Sequence, residues 1–281
     1  MRVLTIARLT ILEAARRKLL LALAILTLLV IVLTSWGFSR LPTMKDVTPA
    51  QVRLAASQLT ILVAFMFSGV LALGSTLVAA PAIASDIESG IALAILPRPI
   101  RRSEVLMGKW LGLALLVALY AGLSGLLEMV GIWLGTNYLP PNPAAALAFV
   151  AAEGIVLMTL ALLLSTRMAP MTGGVIALVL FFVAWIGGIA LAIGQAFNND
   201  TIINIGVGSR LLIPTDGLWH GAIYYLEPAD ILAAARAAGR ARAGNPFFAE
   251  APLPLSYLLW AGAWLLAVLG LGNLSFARRD L

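Results

Sequence analysis

Six separate stretches of this chain are apolar for long enough to cross a bilayer, and that repetition limits its fold more than any other feature. A hydrocarbon core of about 30 Å needs roughly 20 consecutive apolar residues in a helix. The stretches fall at about 19–38, 59–83, 110–135, 144–166, 172–197 and 255–276. In lipid every backbone amide must be satisfied within its own segment or in a closed barrel, and the short alternating strands of a barrel are absent. The expected fold is therefore all-α and integral to the membrane, a single domain over 1–281 with six transmembrane helices. Composition agrees, with 61% apolar and 11% charged residues against the roughly 25% charged of soluble domains. Arg16, Arg17 and Lys18 give the first stretch the flank of a signal peptide. Its apolar run is too long, however, and Ser39-Arg40-Leu41 is a poor cleavage site, so it reads as a retained span.

The chain has no cysteine and one histidine, His220. Disulfide frameworks, thiolate zinc sites, iron–sulfur clusters and multi-histidine metal centres are excluded within it, and neither a metal site nor a catalytic residue is expected. The basic excess sits beside the apolar runs and reads as a topology signal rather than as nucleic-acid affinity. With six spans both termini share a side. Placing them inside gives the cytoplasm Arg2, Arg8, Arg16, Arg17, Lys18, Arg98, Arg101, Arg102, Lys109, Arg167, Arg278 and Arg279. The outside keeps Arg40, Lys45, Arg53, Arg210, Arg236, Arg240 and Arg242, four of them in one long segment that the orientation rule largely ignores. Both ends are expected in the cytoplasm of a multi-pass protein of a bacterial or archaeal plasma membrane.

Three pieces lie outside the spans. Residues 2–17 place Val3, Ile6, Leu9 and Thr10 on one helical face with arginines available to head groups, which fits a helix lying on the inner membrane surface or, alternatively, a plain extension of span one. Between spans two and three, Ser85 and Glu88 have the spacing of a capping box and Pro97 and Pro99 that of a stop. A short helix over about 86–96 is expected across the cytoplasmic mouth, suited to docking on a soluble partner or serving as a well-capped surface loop. The third piece, 198–254, reads as an external cap. There Thr215 or Asp216 caps a helix through about Leu226, Leu218, Trp219, Ile223 and Tyr224 suit the membrane interface, and Pro228 opens another helix. Arg236, Arg240 and Arg242 read as a solvated edge, and 200–217 and 239–254 as flexible joints.

The run Asp86-Ile-Glu88-Ser-Gly90, followed by Ile95-Leu96-Pro-Arg98-Pro99-Ile-Arg101-Arg and by Gly108-Lys109-Trp110, resembles the matching segment of ATP-binding-cassette exporter permeases of the second type. The basic N-terminal helix and the ending Phe276-Ala-Arg278-Arg279-Asp280-Leu281 are similar to that family too. So is Ile213-Pro214-Thr215-Asp216-Gly217, which looks like a Pro-Thr-Asp element of the branch that includes copper-maturation permeases. The resemblance implies that the helix from Ser85 is a coupling helix, with Ser85, Asp86, Glu88, Gly90, Arg98, Pro99 and Arg101 at the contact with a separate ABC ATPase subunit. It also implies outward transport, ATP and magnesium held on that partner subunit, and a pair of permeases, most simply a homodimer although a related second permease is possible. Independently, the chain has no phosphate loop: before Gly108-Lys109 stands Ser103 where the first glycine belongs, and Trp110 follows where Ser or Thr belongs.

Intramembrane acids are functional suspects. Glu128 and Glu153 lie seven residues before Gly135 and nine after Ala144, hence about 10 and 13 Å below the outer boundary. They are candidates for a shared polar site on a translocation path, or else ordinary interhelical hydrogen-bonding groups. A proton-coupled secondary transporter using both is the alternative function. Gly122-Leu-Ser124-Gly125 matches an intramembrane serine protease motif, but its base would have to be His220, outside the spans. Glycines at 108/112, 131/135, 173–174 and 187–188 fit close helix packing.

Overall fold

The computed structural model describes residues 2–16, 18–88, 101–238 and 245–279. In chain order these form α1 (Arg2–Ala15), α2 (Lys18–Arg40), a 3-10 turn (Leu41–Thr43), α3 (Pro49–Ala79), α4 (Pro81–Glu88), α5 (Arg102–Thr136), α6 (Pro143–Ser165), α7 (Pro170–Phe197), α8 (Asp200–Leu212), α9 (Thr215–Leu226), α10 (Ala229–Ala238) and α11 (Leu255–Ala277). No strand occurs among the described residues. Six helices are long and apolar enough to cross a membrane: α2, α3 with its continuation α4, α5, α6, α7 and α11. The fold is an all-α integral membrane bundle.

Local chemistry sets the helix ends. Thr48 opens α3 by accepting the Gln51 amide at 3.3 Å while the Gln51 side chain accepts the Thr48 amide at 2.8 Å, with Pro49 in the first turn. Asn142 and Asn199 cap α6 and α8 through their side-chain oxygens. Asn137 and Asn198 close α5 and α7 in the left-handed region, at φ 55° and 51°, as short polar side chains tolerate.

Lipid tails are as apolar as leucine, so helices in a bilayer associate through close packing rather than through exclusion from water. Here α6 is the central helix, with Leu157, Met158, Ala161 and Leu162 buried among α3, α5, α7 and α11. The expected glycine contacts are present. A Cβ at Gly108 or Gly112 would strike α1, at Ile6 and at the Ala7 carbonyl, and one at Gly131 or Gly135 would strike α2, at Ser35 and Ser39. Thus α1 is a separate helix seated on α5, not an extension of the first span. It buries Ala7, Thr10 and Ala14 and leaves Leu4, Leu9 and Leu12 outward, so Leu9 does not belong to the packed face.

The segment expected as an external cap is in part a hairpin set into the bundle. α8 runs back along α7, with Ile203 against Gly194, Leu191 against Gly206 and Ser209 against Gly187, and Asp216, just past the turn, fits over Gly188. From Gly188 to the end of α7 at Phe197 is nine residues, about 14 Å of helix. α9 then climbs back until Tyr138 donates to the Leu226 carbonyl at 3.0 Å. Residues 200–212 are therefore a packed helix rather than a joint. Leu218, Trp219 and Ile223 are core residues rather than interface anchors. Neither Thr215 nor Asp216 caps α9 with its side chain, because Pro214 occupies the cap position and Asp216 is turned to an ion pair.

The start of α1 and the end of α11 lie on one face of the bundle, and the helix ends there are tied together. Arg102 donates to the carbonyls of Phe276, Ala277 and Arg279. Arg279 donates to Thr166 at 2.5 Å, and Arg167 reaches both the hydroxyl and the carbonyl of Ser275 at 3.1 Å. Guanidinium groups thus satisfy the last carbonyls of α6 and α11, which no intrahelical amide can reach.

Candidate functional site

On the face with the start of α1 and the end of α11, span two does not end where the capping-box reading placed a new helix. α3 stops at Ala79 and α4 begins at Pro81, so Ser85 is inside a helix and its hydroxyl donates to the Pro81 carbonyl at 2.5 Å rather than capping. The break falls where it does because proline has no amide to donate and its ring crowds the carbonyl four residues back. Asp86 has a partner within the chain. Its carboxylate accepts from the Lys109 ammonium, which bonds the Ala82 carbonyl as well. Lys109 is 7% exposed, so it is a buried tie between α4 and α5 rather than a head-group charge. Glu88 is exposed at the end of α4, and Arg101 is exposed ahead of α5, its amide held by the Glu104 carboxylate at 2.9 Å. Gly90, Arg98, Pro99 and the rest of the expected helix to residue 96 lie outside the described residues. So do Arg17, Arg240, Arg242, Asp280 and Leu281, and the side chain of Arg236.

The two acids within the spans occupy different interfaces. Glu128 on α5 accepts from Thr34 of α2 at 2.7 Å. Glu153 on α6 is 4% exposed and accepts from Ser68 of α3 at 2.8 Å. Each glutamate is thus a hydrogen-bonded link between its own pair of helices.

Around the hairpin turn lies a polar cluster that the sequence reading did not assemble. Asp216, 3% exposed, pairs with Arg210 at 2.5 Å, and His220 Nδ1 lies 3.0 Å from Arg210 Nη2, 2.9 Å from the Asp216 carbonyl and 3.5 Å from its carboxylate. Arginine can only donate and a carbonyl can only accept, so Nδ1 takes the Arg210 hydrogen bond in one tautomer and donates to the Asp216 carbonyl in the other. Burial pushes the His220 imidazole below its ordinary value; Arg210 adds to that effect and Asp216 opposes it. The carbonyls at the sunken end of α8 find donors on one face of α11: Tyr257 for Arg210, Trp260 for Leu211 and Trp264 for Leu212, the last at 2.8 Å. An end of a helix at membrane depth needs such partners because no water reaches it. Among the described residues, no group of three or more His, Cys, Asp or Glu side chains has a metal-binding arrangement. Ser124 donates to the Tyr120 carbonyl of its own helix and His220 is held in the hairpin, so the protease pairing does not form.

Two apolar cavities flank α6. One of about 170 Å³ lies among Leu20, Leu71, Leu113, Val117 and Met158, and one of about 380 Å³ lies between α6, α9 and α11 beside Phe149, Leu218 and Leu265. Their walls are almost wholly hydrocarbon and favour apolar over charged occupants.

Sequence reasoning missed the roles of Lys109, Arg102, Arg210 and His220. Lys109 was visible in principle, since it stands between Leu106 and Leu111 in an apolar helical run, and an ionisable residue there implies a partner. Starting the span at 110 hid it. Compared with known proteins, residues 4–281 match the family described as ABC-2 family transporter protein. No curated protein matches the chain.

Proposed function

Because the chain belongs to the ABC-2 transporter family, and is thus the membrane-spanning permease of an ATP-binding-cassette transporter that works with a separate ATPase subunit, we propose that it exports substrate and is driven through the segment that follows α4. In this reading both termini are cytoplasmic and residues from Ser85 to Arg101 form the coupling element. Asp86 sets that element in place through Lys109, while Glu88, Gly90, Arg98, Pro99 and Arg101 meet the ATPase. Two copies of this chain join two ATPases, which hold ATP and magnesium. α1 lies on lipid through Leu4, Leu9 and Leu12. Outward direction rests on the similarity of the 86–110 segment to exporter permeases.

The observation that carries the proposal is that α4 carries the second spanning helix past Pro81 to end at Glu88 on the same face as α1, the end of α11 and the basic residues Arg2, Arg102, Arg167 and Arg279. That face is the cytoplasmic one by the positive-inside rule. The alternative, a proton-coupled carrier, is weakened because Glu128 and Glu153 bind hydroxyls of different helices and share no site.

The natural absence of cysteine makes a direct test simple. With single cysteines at Arg98 or Lys45, a membrane-impermeant maleimide applied to intact cells is expected to label the Lys45 position alone, and the tagged chain to co-purify with an ATPase. Labelling at Arg98 from outside would overturn the proposal.

A further inference from the structure

We infer that Lys109 is a positioning residue for energy coupling: it bolts α4 to the start of α5, so that displacement of the segment after α4 moves the third span instead of being absorbed at the break before Pro81. The inference rests on the reading of that segment as the ATPase contact, and it adds the route by which motion enters the bundle.

The break is compliant, since the proline at the start of α4 interrupts the backbone ladder from α3. Left alone, a push on α4 would bend this joint. Lys109 opposes that by holding α4 at two points one turn apart, the Ala82 carbonyl and the Asp86 carboxylate. Lysine suits the task because an ammonium carries three donors on a long stem and engages both acceptors at once. The pair is largely withdrawn from solvent, with side chains 9% and 19% exposed. Separating two such charges without new partners is strongly opposed, so the bond holds under load.

The same turns of α5 gather the other elements of this face. Gly108 and Gly112 admit the α1 backbone, with the Val3 carbonyl 2.9 Å and the Ala7 carbonyl 2.6 Å from where a Cβ would stand. Two turns earlier Arg102 holds the last carbonyls of α11. Movement delivered through Lys109 therefore reaches α1, α5 and α11 as one body.

The test uses the assembly of this chain with its co-purifying ATPase, reconstituted in lipid nanodiscs, with a reporter cysteine at Lys45 on the opposite face. The rate of maleimide labelling is measured without nucleotide and after trapping with ATP and orthovanadate. Lys109→Met and Asp86→Asn are expected to shrink the nucleotide-dependent change in rate by about fivefold or more, and Lys109→Arg, which can still bridge the carbonyl and the carboxylate, to preserve most of it. A full response in Lys109→Met overturns the inference. Should that variant fail to assemble, a full response in Asp86→Asn does the same. If the unsubstituted assembly shows no response to nucleotide, the coupling reading itself fails, visibly and before any substitution at the bolt.

Discussion

Single residues in this protein act mainly by removing a side chain or by placing a charge where lipid forbids one. Gly188 is the clearest case of removal: a Cβ there would stand 2.0 Å from Asp216 Oδ1. Gly188→Ala must displace either the carboxylate or the helix, and overpacking of this kind costs about 1–3 kcal/mol. Gly262→Ala is the control, since nothing lies within 4 Å of the corresponding point and alanine favours a helix interior over glycine by about 0.5–1 kcal/mol. Thermal melting in detergent, followed by tryptophan fluorescence, should show a lower midpoint for the first variant and none lost for the second; equal midpoints would count against the packing described. The Gly187-Gly188 pair was legible as a packing signal, but its partner was not. Nothing local in the sequence states that Asp216, 28 positions on, fills that space. Charges behaved likewise. Arg102 and Lys109 both counted as basic loop residues, whereas one holds helix-end carbonyls and the other is buried against Asp86.

Among elements, the spans were the most legible, because a run of some 20 apolar residues has few alternatives to a membrane helix. The α8–α9 hairpin was the least. Residues 200–212 are too short to span and carry Asp, Asn, Ser and Arg, so periodicity alone reads them as surface. Their seat along α7, with Gly206 as the one buried position, depends on a groove of glycines on α7 and on Tyr257, Trp260 and Trp264 of α11, none of them legible from the segment itself. The tip of this hairpin should respond to acid. His220 is held neutral by burial, so its folded-state value lies below the ordinary one of about 6.5. The unfolded chain then binds the proton more readily than the folded one, and stability rises with pH. The contribution is complete above about pH 6.5 and is lost as pH falls through the lowered folded value. Melting midpoints should therefore fall on acidification below pH 6.5, and His220→Gln should flatten that part of the profile. A profile unchanged by the substitution would exclude His220 as its source.

At the scale of the whole molecule the bundle has two differently built faces. On the side with the start of α1 and the end of α11, arginine and lysine side chains join α4, α5, α6 and α11, and α1 rides on α5. On the other side a hairpin plugs the space between α6, α7 and α11 and is locked by the Arg210–Asp216–His220 cluster. A tied face is suited to receiving force. The assignment of force to the first face makes the position after α4 decisive. The most direct measurement places a photo-cross-linking amino acid at Arg98, or at Lys45 on the far side, in the assembled transporter. The account predicts that the ATPase is captured from Arg98 and not from Lys45. Capture from Lys45, or an intact complex with no capture from Arg98, would contradict it.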